Sequence, residues 1–555
     1  MDKDRVLPFA ADSRFFHKRA VRSMDKQDFL TALKHLKRAL DMDPGSAEIA
    51  LDLADTYARM GLYEMSNVEL ELLLGRQDCP EETQFAIGCN LMAMGDYAQA
   101  YVCFSAYLHD HPEGEFAYLA QDGIAQIEES EEEDGIDREQ EALAEQGKAA
   151  LDGGDAERAA EIFERVLAQD PSLLYVRNNL ALAYMCLQDS PNAWKQLNRI
   201  LQTEANNTHA CCNAALLMNN EGRADQAAAY MARLNPELME ELDELYKYCL
   251  TAAELRMQPE LKQGLKKLLL LCPYETSMLY LYGVSLYNEG RWQEAARVLE
   301  KLLVVEPSNL PARDALALCH AGEESQRPKE LPYSFEYTES QNRTLMEFLA
   351  GLAALYPDAQ AMRERLAQER ELAEAALMGD DELVAYAMLV LTMAGGPLAE
   401  DLLRRLLLSM THSLALKQQA AEALEQIDAP EPYLAYVEGR MVRMRKGQIK
   451  LKTMPPRPYA QFLAEMMRRM AETYQSEEAA AYGLSLWAAY LNSLDGRFPP
   501  FRDKSAWMAA TRGRYEEDVL GRQPDLEALA AEEGCTTRTL TMRMRRLYAG
   551  SQELR

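Results

Sequence analysis

The sequence predicts an all-α protein built from short paired helices, and three observations support that fold class. Its 28 glycines and 23 prolines make up about 9% of the 555 residues, so helix-breaking residues are scarce against the usual ~12%. Apolar residues recur along most of the chain at the spacing of one helix face. Small and large residues also return together every 34 residues, which indicates an internal repeat.

The repeat is first visible in small residues at Ala32, Ser66 and Ala100, each followed four residues later by a large side chain. Its fullest copy consists of Gly88, Leu91, Gly95, Asp96, Tyr97, Ala100, Phe104 and Pro112. A small residue in the first helix lets the second approach closely, and Gly or Pro ends the helices. A single unit cannot bury its apolar face, so successive units are expected to stack.

The order and spacing of these residues closely resemble the tetratricopeptide repeat, two antiparallel helices and a turn. The resemblance implies two separate superhelical arrays: three repeats plus a half-repeat helix at 13–127, and five repeats plus a capping helix at 140–321. The stretch 128–139 between them is so acidic that we expect a solvated linker, with an acidic docking tail as the alternative. A helical bundle with accidental spacing is the competing fold.

The 34-residue phase ends at a second expected linker, 322–338. Three consecutive predicted helices at 383–394, 398–410 and 414–427 then resemble HEAT-type packing, so we expect a HEAT-like region at 339–455. An ordinary helical bundle would show the same spacing. A helical C-terminal region at 456–555 follows, and the further predicted helices lie near 431–446, 458–474, 477–494 and 503–517.

Composition and motifs argue against several classes of function. The chain holds 59 Lys and Arg against 89 Asp and Glu, and its net charge of −30 repels phosphate backbones and anionic membranes. The nucleotide-binding, nucleophile-elbow and zinc-protease motifs are absent, so we expect neither enzyme activity nor a cofactor. Ten scattered cysteines without a C-x-x-C pair predict no metal site or disulfide framework, and favour the reducing cytoplasm.

The predicted binding surface is the concave groove that the first helix of each repeat would line. In the second block the residues expected there are mainly amides and tyrosines: Asn178, Asn179, Cys212, Asn213, Asn219, Asn220, Tyr246, Lys247, Tyr280, Tyr287 and Asn288. Asparagine offers a donor and an acceptor to the backbone of an extended peptide, and tyrosine adds contact area at little entropic cost. Asn179 and Asn213 share one repeat position, which is similar to the asparagine ladder of certain tetratricopeptide grooves.

The leading functional hypothesis is therefore a non-enzymatic scaffold that binds an extended segment of a partner protein in these grooves. The alternative for the amides is that they only solvate a helix or bond within the array.

A segment near the C-terminus, 526–547, resembles a bacterial helix-turn-helix, with Ala530 at the helix crossing, Gly534 in the turn and Thr536 or Thr537 as the cap. The expected apolar stripe of its second helix is Leu540, Met544 and Leu547. That stripe would leave four arginines free for DNA: Arg538, Arg543, Arg545 and Arg546. The alternative function is thus a transcriptional regulator with the repeats as sensor. A hairpin kept only for packing is the favoured interpretation of this segment, because Arg543 departs from the usual apolar residue.

Overall fold

The computed structural model describes residues 12–76, 78–134, 138–321, 327–437, 440–444, 457–492 and 503–552. These residues are almost entirely α-helical, which confirms the predicted fold class. Contacts divide the chain into two compact units. The first comprises the residues up to Phe335 with Val437–Arg440, and the second comprises Glu336–Tyr436 with Met441–Arg555.

The first unit begins with three helix pairs and a half-repeat helix, as predicted. Their bounds are α1 (Ser13–Met24), α2 (Phe29–Met42), α3 (Ala47–Arg59), α4 (Tyr63–Leu74), α5 (Glu82–Ala93), α6 (Tyr97–Asp110) and α7 (Ala117–Asp134). The predicted solvated linker at 128–139 is wrong over residues 128–134, because α7 continues through Asp134. Glutamate is a good helix former, and extending an existing helix is far easier than starting one. Residues 135–137 lie outside the described residues.

Ten further helices in five pairs, followed by a further helix, complete the helices of this unit. They are α8 (Arg138–Asp152), α9 (Ala156–Gln169), α10 (Leu174–Cys186), α11 (Ser190–Thr203), α12 (Thr208–Asn220), α13 (Ala224–Met231), a 3-10 turn (Pro236–Leu238), α14 (Leu242–Glu254), α15 (Gln258–Leu271), α16 (Thr276–Asn288), α17 (Trp292–Val305) and α18 (Leu310–His320). In several repeats an aspartate side chain accepts a backbone N–H bond and so starts the second helix: Asp28, Asp96, Asp155 and Asp189.

Glycines in the first helices allow the close helix contact that the repeat pattern predicts. A Cβ on Gly88 would lie 2.6 Å from the Phe104 ring, and one on Gly123 would lie 2.8 Å from the other edge of that ring. Phe104 is therefore held between two glycines and is 1% exposed. The same close approach joins Gly147 to the Phe163 ring at 2.6 Å.

The two repeat blocks touch each other, so the expectation of two separate arrays is wrong in this respect. Lys37 Nζ in α2 donates to the backbone oxygen of Val305, at the end of α17, over 2.7 Å. Val305 is fully buried in the apolar cluster of the first repeats, beside Phe16 and Leu33. Sequence spacing did not reveal this contact because it joins residues at opposite ends of the repeats.

The second unit contains helices and one hairpin. Its elements are α19 (Glu339–Ala353), α20 (Ala359–Gln368), α21 (Arg370–Ala376), α22 (Asp381–Ala394), α23 (Gly396–Leu408), α24 (Leu414–Gln426), β1 (Tyr433–Val437), β2 (Arg440–Met444), α25 (Arg457–Tyr474), α26 (Glu477–Asn492), α27 (Lys504–Asp518), α28 (Leu526–Glu533) and α29 (Thr537–Gln552). Most helices expected here are present. The HEAT-like packing stays a prediction. The predicted domain boundary between residues 455 and 456 lies within 445–456, which are outside the described ranges.

The helix predicted near 431–446 is wrong, because this stretch forms the two-stranded sheet β1–β2. Tyr433, Tyr436 and Val437 are aromatic and β-branched residues that favour strands, and Pro432 precedes them. The sheet is anchored to α24 by Lys417, whose buried Nζ donates to the backbone oxygen of Tyr436 over 2.6 Å. Burial lowers the pKa of Lys417 to about 8.

We expect Gly88→Ala to lower the free energy of unfolding by about 1–3 kcal/mol, because the added methyl group overpacks against Phe104. The better helix propensity of alanine returns at most about 1 kcal/mol. Thermal unfolding followed by circular dichroism measures the change. Gly45→Ala is the control, since its methyl group would meet only Asp43 Oδ1 at 3.8 Å, and adding Phe104→Leu to Gly88→Ala should recover part of the loss. Equal stability of all variants would contradict the role of the close contact.

The buried Lys417 predicts a rise in stability with pH. Between pH 8 and about 10.4 the unfolded chain holds the lysine proton and the folded chain does not, so the free energy of unfolding increases across this window and is unaffected by this group below it. We expect Lys417→Met to remove a contribution of about 2–3 kcal/mol to that rise. Urea unfolding at pH 8, 9 and 10 measures it. The exposed Lys504→Met is the control, and an unchanged pH dependence in Lys417→Met would contradict the assignment.

Candidate functional site

The first helices α10, α12, α14 and α16 carry the predicted groove residues at matching repeat positions. Asn179 and Asn213 occupy the same position of α10 and α12, and Lys247 occupies it in α14. Asn179 is half-buried, whereas Asn213 is only 3% exposed. The buried Asn213 Oδ1 has no hydrogen-bond partner among the described residues, and such an atom is costly to leave unpaired.

Asn178 forms its hydrogen bond within the array, which is the alternative to ligand binding for the predicted groove amides. Its Nδ2 donates to Asn207 Oδ1 over 3.2 Å, and the same oxygen accepts from the backbone N–H of Ala210 at the start of α12. Asn178 therefore supports the cap of the next repeat. Its own Oδ1 is buried without a hydrogen-bond partner in the described part of the chain.

A partly buried cation lies beside these amides. Burial lowers the pKa of Lys247, although the nearby Cys212 and Asp243 counteract the shift. Asp243 is engaged by His209, whose Nε2 lies 3.0 Å from its carboxylate, and this hydrogen bond lowers the pKa of Asp243. Burial raises the pKa of the neighbouring Tyr246, so its hydroxyl stays a neutral donor. Lys247 and Tyr246 can therefore donate hydrogen bonds to a carbonyl or carboxylate oxygen.

The last repeat already holds a peptide, namely residues 327–335 of the same chain. Asn288 pairs with the backbone of Leu331 in both directions: its Nδ2 donates to the Leu331 oxygen over 3.0 Å, and its Oδ1 accepts from the Leu331 N–H over 2.7 Å. The Asn288 amide thus uses both its donor and its acceptor on the backbone of one residue. The segment itself contains neither helix nor strand.

Two tyrosines of α16 complete this contact and show its direction. The Tyr287 hydroxyl donates to the Pro328 oxygen over 3.0 Å, and the Tyr280 ring lies 5.5 Å from the Phe335 ring. Pro328, at the start of the segment, meets Tyr287 near the end of α16, whereas Phe335 meets Tyr280 earlier in that helix. The segment therefore runs antiparallel to α16. The buried Tyr280 has its pKa raised to about 12 by desolvation, so it remains neutral.

One arginine fixes the start of the segment. The guanidinium of Arg327 lies 4.0 Å from the centre of the Trp292 ring, a cation–π contact. It also donates to the backbone oxygens of Leu318 and Cys319 in the last turn of α18 and of Ala321 just after it. Arg327 thus satisfies carbonyl groups that a helix end otherwise leaves unpaired.

The segment was missed because 322–338 was predicted to be a linker, and residues 322–326 lie outside the described residues. Asn288, Tyr280 and Tyr287 were predicted as groove residues, but Trp292 was not. A signal was present in the sequence: Leu331, Tyr333 and Phe335 alternate with less hydrophobic residues, as in a strand with one buried side. A solvated linker would not need apolar residues at every second position.

The remaining predicted groove residue, Asn220, is exposed at the end of α12. It stands two repeats before Asn288, at the same position of its helix. Asn220 therefore presents an amide of the kind that Asn288 uses, on a stretch that the segment 327–335 does not reach.

The C-terminal hairpin consists of α28 and α29, joined through Gly534. Gly534 adopts a left-handed conformation between α28 and α29, and Thr536 Oγ1 caps α29 by accepting from the Thr539 N–H over 3.2 Å. Glu533 ties α28 to α25 and α27 because its buried carboxylate accepts from Arg469 and Arg512 over 2.7 and 3.0 Å.

Only part of the predicted basic surface of α29 is available. Arg538, Arg545 and Arg546 are exposed, but Arg543 is not, which corrects that prediction. Arg543 lies 4.6 Å from the centre of the Trp507 ring and 3.4 Å from the Asp503 carboxylate, so it packs on α27. Arg546 is engaged by the Tyr490 hydroxyl.

Within the described ranges, no group of three or more His, Cys, Asp or Glu residues could hold a metal ion. Nor does any described helix combine the length and apolar character needed to cross a membrane.

A family model described as "Tetratricopeptide repeat" matches residues 23–78, and a second with the same description matches residues 141–172 and 277–308. The chain is also 26% identical over 262 residues to the TPR repeat-containing protein YvcD of Bacillus subtilis (strain 168), which covers 45% of this chain and 52% of that protein. The chain thus spans about half the length of the curated relative it matches.

Among solved structures, the chain is similar to a tetratricopeptide repeat protein from Parabacteroides merdae, at 14% identity, 56% of this chain, 99% of that chain and a TM-score of 0.26. It is also similar to yeast Tom70, at 12% identity, 92% of this chain, 97% of that chain and a TM-score of 0.26.

Proposed function

We propose that this chain of tetratricopeptide repeats is a non-enzymatic scaffold whose second repeat block binds an extended segment of a partner protein. Tetratricopeptide repeats generally mediate protein–protein interaction. The observation that carries the finer proposal is the double hydrogen bond between the Asn288 amide and the Leu331 backbone. An amide that donates and accepts at one residue recognises peptide backbone whatever the side chain.

The repeats before α16 offer the same chemistry to a partner. The buried carbonyl oxygens of Asn178 and Asn213 lack a partner among the described residues, and Asn220 is exposed. A backbone N–H of a bound segment would satisfy such an oxygen, and the Lys247 ammonium would donate to a carbonyl or carboxylate oxygen. We therefore assign the partner segment to the surface of α10, α12 and α14.

We place the chain in the cytoplasm. All ten cysteines are free thiols, and Cys89 and Cys186 are exposed. Free, exposed thiols persist best in a reducing compartment.

Replacing both Asn179 and Asn213 by alanine should weaken binding of the partner segment by about 1–3 kcal/mol, because each lost pairing leaves a backbone group of the ligand unmet. A photo-crosslinking residue at Asn220 in the living cell first identifies the bound segment. Calorimetric titration with the synthetic segment then compares the parent chain with the double variant.

The matched control is Asn206→Ala, which removes an exposed amide from the loop between α11 and α12. It should bind like the parent chain. Circular dichroism checks that each variant folds. Unchanged affinity in the folded double variant would show that these two amides only complete the helix surface.

A second candidate function, DNA binding through α28 and α29, is favoured by the turn at Gly534 and by the exposed Arg538 and Arg545. We expect Arg538→Ala with Arg545→Ala to weaken binding of a labelled DNA duplex by about 1–3 kcal/mol per base contact, and to lower the salt dependence where phosphate is contacted. Fluorescence anisotropy at 50 and 200 mM salt measures both.

The charge-matched control changes two exposed arginines of α1, Arg14→Ala and Arg22→Ala. If the parent chain shows no salt-dependent binding, or if both double variants lose affinity equally, α29 is a packing helix and the DNA function is rejected.

A further inference from the structure

We propose that residues 328–335 are an intramolecular ligand of the last repeat, and that a partner segment of the same chemistry displaces them. This inference rests on the proposed function, since it concerns the same kind of groove. It goes further because it names what the partner segment looks like and how access to the groove is controlled.

The chemistry of the ligand follows from which of its groups touch the repeat. The backbone of Leu331 is read by Asn288, and the backbone oxygen of Pro328 by Tyr287. Leu331 and Tyr333 pack against the apolar core of the last repeats, and Phe335 meets Tyr280. The fitting partner is thus an extended segment with an apolar residue followed by aromatic residues at the next two alternate positions.

Three side chains of the segment, Lys329, Glu330 and Pro332, are exposed, so their identity leaves the contact unchanged. The buried Tyr333 hydroxyl lies near Asn288, Ser285 and Gln258 but has no hydrogen-bond partner among the described residues. Recognition at Tyr333 therefore rests on the packing of its ring.

The contact between residues 328–335 and the groove is strong enough to keep the groove filled and weak enough for a partner segment to displace these residues. Two amide hydrogen bonds and one from Tyr287 hold the segment, and Phe335 remains 44% exposed. The segment stays bound mainly because Arg327 anchors it nearby, and a short tether gives an effective concentration of the order of millimolar. A partner segment with a few more contacts therefore competes successfully.

Release of residues 328–335 from the groove would change the connection between α18 and α19. The segment is the covalent link between α18 and α19, and α19 begins immediately after it with the capping box of Thr338 and Gln341. Displacement therefore frees residues 328–335, while the Tyr337 hydroxyl still donates to the Ala375 oxygen over 3.0 Å. Occupation of the groove by a partner would thus be signalled by a longer free connection.

The test measures binding of a fluorescein-labelled synthetic peptide of residues 327–337 to the full chain. The parent chain should bind it weakly, because its own segment fills the site. Leu331→Gly with Tyr333→Gly in the chain should raise the affinity at least tenfold. Adding Asn288→Ala to that variant should remove the gain, and a labelled peptide of scrambled order should bind none of the chains.

Two results would overturn the inference. If the parent and the Leu331→Gly/Tyr333→Gly chain bind the peptide with equal affinity, the segment does not occupy the groove in solution, although peptide binding itself stands. If no folded chain binds the peptide, the last repeat does not recognise this chemistry. Both results would remove the Asn288 pairing as support for the proposed function, but binding at Asn179 and Asn213 has its own titration, so failure of the two proposals is distinguishable.

Hydrogen exchange of the parent chain keeps the test independent of the glycine variants. The Leu331 N–H donates to Asn288, so it should exchange slowly in the parent and at least tenfold faster in Asn288→Ala. A saturating amount of the labelled peptide should speed its exchange in the same way. Unprotected exchange in the parent, or protection that excess peptide does not change, would count against displacement.

Discussion

The structure of the repeats depends on one contact, that of a small residue in the first helix of a hairpin with a large residue in the second. Phe104 between Gly88 and Gly123 is its tightest form, and Gly147 with Phe163 repeats it in the second block. The missing Cβ sets how closely the helices approach, and therefore how one hairpin stacks on the next. That stacking places α10, α12 and α14 side by side, with Asn179, Asn213 and Lys247 at the same position of the repeat.

This dependence explains which features the sequence could predict. The helix pairs and their number were predictable because each repeat encodes its contact locally, at a fixed spacing. The hairpin β1–β2 was not, because Tyr433 and Val437 fit the spacing of a helix as well as that of a strand. The link from Lys37 to Val305 was hidden for another reason, since it joins surfaces whose meeting depends on the summed geometry of every repeat between them.

The candidate site likewise has features that residue type predicts and features that only three-dimensional contacts determine. Chemistry was predictable: a groove asparagine pairs with peptide backbone, as Asn288 does with Leu331. The identity of the partner was not, because a short irregular segment carries no periodic signal and its position is set by three-dimensional contacts. Asn178 shows the limit of reasoning from repeat position alone, since its amide supports the cap at Asn207. Arg543 shows it as well, because a long side chain can pack on Trp507 and keep its charge beside Asp503.

The bond from Lys37 to Val305 also bears on how the protein folds. Its two residues are 268 positions apart, so it raises the contact order of a fold whose other contacts are mainly local. During synthesis the first repeats emerge early, yet their apolar cluster stays incomplete until α17 has been made and Val305 can enter it. In an open solenoid the end repeats have a single neighbour and unfold first. Here the first repeat gains a second neighbour, so its unfolding is coupled to that of the last.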